Sequence, residues 1–198
     1  RLESLPQLKN GALEGGYLAV AFDLDGTLYD QKKLRLIMAC RLGFYYLCHP
    51  FCLKELFILK TFRKVRDHWD EIEPTLNGTD DETDQDSAIY AYVGKKHNAE
   101  AGYVASVVKH WIYENPLSAL KKCEDRKLAS YIKDLRDADI PVLIFSDYPI
   151  EAKLSALEIT ADGLYAPGDE RKIELKPSPK GLHCILEDLH LDPDRLLM

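Results

Sequence analysis

The sequence predicts an α/β protein built on a parallel sheet, with a long helical insert after the first strand. Three observations predict it. Residues 17–22 (Tyr-Leu-Ala-Val-Ala-Phe) and Pro141–Phe145 are short, nearly uninterrupted apolar runs, the composition of strands buried on both faces. Each run ends at a polar residue, Asp23 or Ser146. Helical patterns separate the runs, and alternating strands and helices imply parallel pairing with crossovers on the sheet faces.

Residues 1–16 are polar and Gly-rich, a loose lead-in to the first strand. Residues 31–69 read as two helices broken at Pro50. The stretch from Leu36 to Leu59 is unusually apolar, but Arg41, His49, Pro50, Lys54 and Glu55 interrupt it. A transmembrane helix needs about 20 clean apolar residues. The interruptions therefore favour helices packing on each other and argue against a membrane partner; an amphipathic membrane-surface or partner-binding role is the alternative. Residues 70–86 carry eight acidic side chains with Pro74 and Gly78, the composition of a solvated loop. Asp84, Gln85 and Asp86 are placed to cap the next helix. Further helices are expected over 87–97, 99–113 and 124–138, with Asn98 as an N-cap between the first two. After the strand ending at Ser146 comes a helix over 149–158, then a turn at Asp162-Gly163. A strand follows at Lys172–Lys176, then a helix opened by Ser178-Pro179 and running to about 190. Asp192-Pro193 turns into a last strand beginning at Leu196. The chain lacks an initial Met and stops on an apolar run that has just begun, so it reads as incomplete, with the C-terminal part of the core missing.

The chain has 198 residues, enough for a core domain with a smaller insert. Its net charge of −7 disfavours nucleic acid as a partner. It leaves anionic small substrates open, because a bound cation outweighs net charge locally. Five cysteines, Cys40, Cys48, Cys52, Cys123 and Cys184, match no disulfide framework, and no signal peptide is visible; a reducing, cytoplasmic setting is expected. Cys48, His49 and Cys52 lack a second ligand pair and read as small buried apolar residues rather than a zinc site. His68, His97, His110, His183 and His190 have no matching partners, and Tyr45, Tyr46, Trp69 and Trp111 read as core of the helical insert.

Asp23, Asp25, Ser146 and Lys176 all fall at or near the C-terminal end of an expected strand, where open parallel sheets bind ligands. The chemistry they suit is attack on a phosphate ester. Mg²⁺, a hard cation, offsets the repulsion between carboxylates and phosphate oxygens. Asp23 can then attack phosphorus as a covalent nucleophile. Asp25 is two residues on, on the same side of an extended strand, and can serve as general acid and base. Gly26 allows a tight turn. Thr27 and Ser146 offer hydroxyls to phosphate oxygens, and Lys176 a fixed positive charge. Asp147 either caps the following helix or joins the substrate pocket.

Phe22-Asp23-Leu24-Asp25-Gly26-Thr27-Leu28 resembles the first motif of the haloacid-dehalogenase-like hydrolase superfamily. The strand ending at Ser146 is similar to its second motif. Leu175-Lys176-Pro177-Ser178-Pro179 is similar to its third, with Lys176 as the matching lysine. The resemblance covers roughly 17–198 and is closest in look to the phosphoglycolate-phosphatase-like branch. It implies a Rossmann-like core from residues 1–29 and 126–198, with a helical C1-type cap at 30–125. It implies Asp23 as nucleophile, Asp25 as general acid/base, and Mg²⁺ as cofactor, held by Asp23 and the backbone carbonyl of Asp25. Dehalogenase members usually lack the second aspartate, so Asp25 favours phosphoryl transfer. The fourth motif, with acidic metal ligands, would follow the strand begun at Leu196. The function expected is a Mg²⁺-dependent phosphatase acting on a small phosphorylated metabolite. A phosphomutase, and a non-catalytic partner- or membrane-binding protein retaining the fold, are the alternatives.

Overall fold

A computed structural model describes residues 6–9, 12–72, 85–167, 173–174 and 176–198. The chain forms two compact units, 1–35 with 117–198, and 36–116.

In the first unit a short antiparallel pair, β1 (Leu8–Lys9) and β2 (Ala12–Leu13), precedes the main sheet. The sheet comprises β3 (Ala19–Asp23), β4 (Val142–Phe145), β5 (Gly163–Tyr165) and β6 (Leu196–Leu197). All pairs are parallel, in the order β5-β4-β3-β6. Every residue of β4, and of β3 from Ala19 to Phe22, is buried, which is why both strands read as continuous apolar runs rather than alternating ones. On one face Ala19, Ala21, Leu143, Phe145 and Tyr165 join Ile173 and Ile185 in a single core. Ile185 belongs to α9 (Lys180–Leu189), which lies so close that a Cβ on Gly181 would come within 2.4 Å of the Phe145 ring. Between β3 and β4, this unit also holds α6 (Leu117–Leu120) and α7 (Arg126–Asp137). Asp125 caps α7 by accepting from the N–H groups of Lys127 and Leu128, both at 3.1 Å. Leu128, Ile132 and Leu135 form its buried stripe at helical spacing.

The strand expected at Lys172–Lys176 is corrected. Ile173 and Glu174 are irregular and Lys176 lies in a turn; Lys172 and Leu175 fall outside the described residues. The strand beside β4 is β5, which starts where Asp162-Gly163 reads as a turn. Asp162 binds β4 through both its main chain and its side chain: its N–H donates to the Val142 carbonyl at 2.7 Å, and its carboxylate accepts from the Val142 N–H at 2.9 Å. Local turn chemistry is overridden by that docking.

In the second unit lie most of α1 (Gln31–Cys48), then α2 (Lys54–Asp67), α3 (Trp69–Ile72), α4 (Gln85–His97) and α5 (Ala101–Val108). A 3₁₀ turn at Pro50–Cys52 joins α1 to α2, and a π turn follows α5 at Lys109–Glu114. The break at Pro50 is thus where the sequence puts it, because proline cannot continue the α1 hydrogen-bond ladder. Ile58, Phe62, Ile89, Val93, Val104, Val108, Trp69 and Trp111 are buried, and Phe62 stacks on Tyr90. Asn98 is not an N-cap. It closes the end of α4 in the left-handed conformation, φ 49°, a region Asn tolerates, and Glu100 precedes α5 instead. Most of the acidic stretch, 73–84 with Asp84, lies outside the described residues.

Candidate active site

The carboxyl edge of the sheet gathers the site. In the β3–β4 register Asp23 lies beside Phe145, so Asp23 and the Ser146-Asp147 pair emerge from neighbouring strand ends. Gly26, at φ 91°, turns the chain after Asp25 in a conformation that a side chain rarely adopts. The turn returns Thr27, whose hydroxyl donates to Asp23 Oδ2 at 3.3 Å.

Lys176 arrives from the turn preceding α9. Its Nζ donates to Asp23 Oδ1 at 2.5 Å and to the Phe145 carbonyl at 3.0 Å, and sits 4.5 Å from the centre of the Phe145 ring. Asp147 fixes this turn: its carboxylate accepts from the backbone N–H of Lys176 at 2.8 Å. Asp147 is therefore a support for Lys176 here. The N-cap position of α8 (Glu151–Leu157) is Ile150 rather than Asp147.

Asp25 has its own set of donors. Lys153, in the first turn of α8, donates from Nζ to Oδ1 at 2.6 Å and Oδ2 at 2.9 Å. Ser146 Oγ donates to Oδ2 at 3.2 Å, and the Tyr29 hydroxyl donates to Oδ1. The pair is well enclosed, with the Lys153 side chain 14% and the Asp25 side chain 17% exposed. Burial, then the charge of Asp25 and the hydrogen bond to it, push the Tyr29 phenol far above the usual tyrosine value, so Tyr29 stays a donor. Ser146 Oγ also accepts from the Tyr148 N–H at 3.1 Å, which fixes the hydroxyl toward Asp25 rather than leaving it to a phosphate alone.

Asp23, Asp25, Thr27, Ser146 and Lys176 therefore meet at one place, though Lys176 reaches it from a turn and not from a strand end. Lys153 and Tyr29 are additional members. Nothing in the sequence marks Lys153, which reads as a solvated helix lysine; Tyr29 carries only its spacing of four from Asp25.

The donor chemistry fits a hard cation. The Asp23 carboxylate remains 37% exposed despite Lys176, and Mg²⁺ commonly takes one or two protein oxygens and completes its shell with water and phosphate. Asp23 and the Asp25 carbonyl could hold it. Among the described residues no group of three or more His, Cys, Asp or Glu side chains is placed to hold a metal ion. Cys48 and His49 are exposed and Cys52 half-buried, so the expectation that this cluster is buried is corrected.

No protein-family model matches the chain, and no curated protein matches it in sequence. Solved structures do match in fold. A defluorinating L-2-haloacid dehalogenase superposes with a TM-score of 0.58 at 15% identity, covering 97% of this chain and 76% of its own. The L-2-haloacid dehalogenase of Xanthobacter autotrophicus, with chloropropionic acid covalently bound, gives 0.55 at 16% identity, covering 91% of this chain and 68% of its own. The chain has the haloacid dehalogenase-like fold. Within that fold, Asp23, Ser146 and Lys176 occupy the carboxyl edge of the parallel sheet, with the central strand β3 carrying Asp23.

Proposed function

We propose that the chain is a Mg²⁺-dependent phosphatase that hydrolyses a small phosphorylated metabolite through an aspartyl-phosphate on Asp23. One observation carries the reading: two carboxylates share the sheet edge, and each is held by its own lysine, Asp23 by Lys176 and Asp25 by Lys153. Binding alone would not need a nucleophile and a second carboxylate so arranged.

Asp23 attacks phosphorus, and the bond from phosphorus to the leaving oxygen breaks. Asp25 delivers a proton to that oxygen, with Lys153, Tyr29 and Ser146 fixing where its own oxygens face. Asp25 then takes a proton from water, which attacks the phosphoryl group, releases phosphate and restores Asp23. Lys176 balances charge on the transferring group. Bound Mg²⁺ would neutralise phosphate oxygens beside the two carboxylates.

Two other readings differ from it by their products. A phosphomutase would use the same residues and pass the phosphoryl group to another hydroxyl. A dehalogenase is suggested by the structural likeness to L-2-haloacid dehalogenases, while Asp25 favours phosphoryl transfer. The test is product release from an aryl phosphate, a panel of phosphorylated metabolites and 2-chloropropionate, with Mg²⁺ and with chelator. Mg²⁺-dependent phosphate release is expected, falling on the order of 10³-fold or more in Asp23→Asn. Isomeric sugar phosphate as product would select the mutase, and chloride release the dehalogenase.

A further inference from the structure

The second unit has a face that its packing does not explain. Along α1, Leu36, Cys40, Phe44 and Leu47 recur at helical spacing, and all four are exposed. At the corner, Phe51 is 99% exposed. Leu53, just before α2, and Phe57, in its first turn, are exposed next to the corner, and Lys60 and Lys64 continue the same stripe one to two turns further on, with exposed Arg63 beside them. The helices bury their other sides. Ile58, Leu59, Phe62 and Val65 face the core of the unit, and Glu55 is drawn inward by the Tyr46 and Tyr103 hydroxyls and the Trp111 indole. The outward stripe is thus not the inner seam seen from the wrong side.

Charge says what this face fits. Between Gln31 and Asp67 the sequence has nine lysines and arginines and two carboxylates, Glu55 and Asp67, in a chain whose net charge is −7. An aromatic and leucine tip followed by a basic collar is the pattern of helices that lie in a membrane interface, apolar side chains among the acyl chains and cations at anionic headgroups. Among the described residues no single helix is long and apolar enough to cross a membrane; α1 and the segment Pro50–Asp67 reach that length and composition only together, bent by 117° at their break. That geometry suits a corner dipped into one leaflet.

We propose that the α1–α2 corner docks on a bilayer surface bearing anionic lipids, with Phe44, Leu47, Phe51 and Phe57 inserted and Lys60 and Lys64 at the headgroups. The test is co-sedimentation of the whole chain with vesicles of phosphatidylcholine alone and of phosphatidylcholine with phosphatidylglycerol. Binding to the anionic vesicles is expected to exceed binding to the neutral ones by about 10-fold or more. Phe44→Asp/Phe51→Asp should abolish it. Lys60→Glu/Lys64→Glu should weaken it by roughly 25-fold or more, since each basic residue near an anionic surface is worth roughly fivefold. All four positions are exposed, and circular dichroism checks that the variants keep their helices. Failure of the chain to sediment with anionic vesicles would overturn the proposal, as would parent-level binding in both variants. A lipid-free dimer in analytical ultracentrifugation that Phe44→Asp/Phe51→Asp dissolves would assign the face to a second copy instead. None of these substitutions touches Asp23, Asp25, Lys153 or Lys176, so the outcome is independent of the phosphatase assay.

Discussion

At the carboxyl edge of the sheet, charged groups are partly buried and matched: Asp23 with Lys176, Asp25 with Lys153, Tyr29 and Ser146. At the α1–α2 corner, large apolar groups stand in water: Phe44, Leu47, Phe51 and Phe57 are all more than half exposed. Each arrangement runs against the usual sorting of polar groups outward and apolar groups inward. Half-burying a charge is costly unless it is paired, and exposing a cluster of aromatics forgoes their transfer free energy. The two regions share a lesson. Departures from the sorting that stabilises a fold are what both proposals rest on, phosphoryl chemistry at one place and bilayer docking at the other.

The comparison can be broken by stability first. Phe62→Ala empties a fully buried site and should cost about 3–5 kcal/mol in denaturant unfolding. Phe51→Ala, only eleven positions earlier, should stay within about 0.5 kcal/mol of the parent. A comparable loss at Phe51 would mean that its ring is packed in solution and the corner is not free.

Lys176→Ala should lower turnover by about 10²–10³-fold with the fold intact, because it removes the cation beside the nucleophile. An unchanged rate would detach Lys176 from the chemistry. Lys153→Met should have a smaller effect, about 10–10²-fold, and one that depends on the leaving group. Loss of the lysine leaves Asp25 with Tyr29 and Ser146 only, so alkyl phosphates, whose leaving oxygen needs a proton, should slow more than aryl phosphates. Lys153→Arg, which keeps the charge, should recover part of the rate. Equal slowing of both substrate types would assign Lys153 to structure alone.

The smallest effect concerns Asp162. Burial tends to raise its carboxyl, but the Val142 N–H and the Arg136 guanidinium outweigh this and hold it below the ordinary aspartate value. A carboxyl depressed on folding adds stability that is fully present above the unfolded value, about pH 4, and is lost as the pH falls through the folded value. Stability measured from pH 5 downward should therefore decline less steeply in Asp162→Asn than in the parent.

How much of this is legible in the sequence depends on how local the cause is. β3 and the Asp23–Thr27 turn are contiguous, and buried parallel strands announce themselves as apolar runs. β5 is three residues long, and its register comes from a contact between Asp162 and Val142, twenty positions apart. The same holds at the site. Asp25 is visible as a motif residue, but its partner Lys153 is 128 positions away and has the spacing of any helix lysine. In the helical unit, the apolar stretch from Leu36 to Leu59 reads as helices packing on each other, and the stripe of Leu36, Cys40, Phe44 and Leu47 lies within it. Only the three-dimensional arrangement shows that the stripe faces outward.

The central claim is that Asp23 becomes phosphorylated during turnover. Acid quenching during hydrolysis of an aryl phosphate with Mg²⁺, followed by peptide mass mapping, tests it directly. A single phosphoryl group on Asp23, absent from Asp23→Asn and accumulating when hydrolysis of the intermediate is slowed in Asp25→Asn, is the predicted result. Steady phosphate release with Asp23 unmodified throughout, or with the phosphoryl group on another residue, would contradict the account.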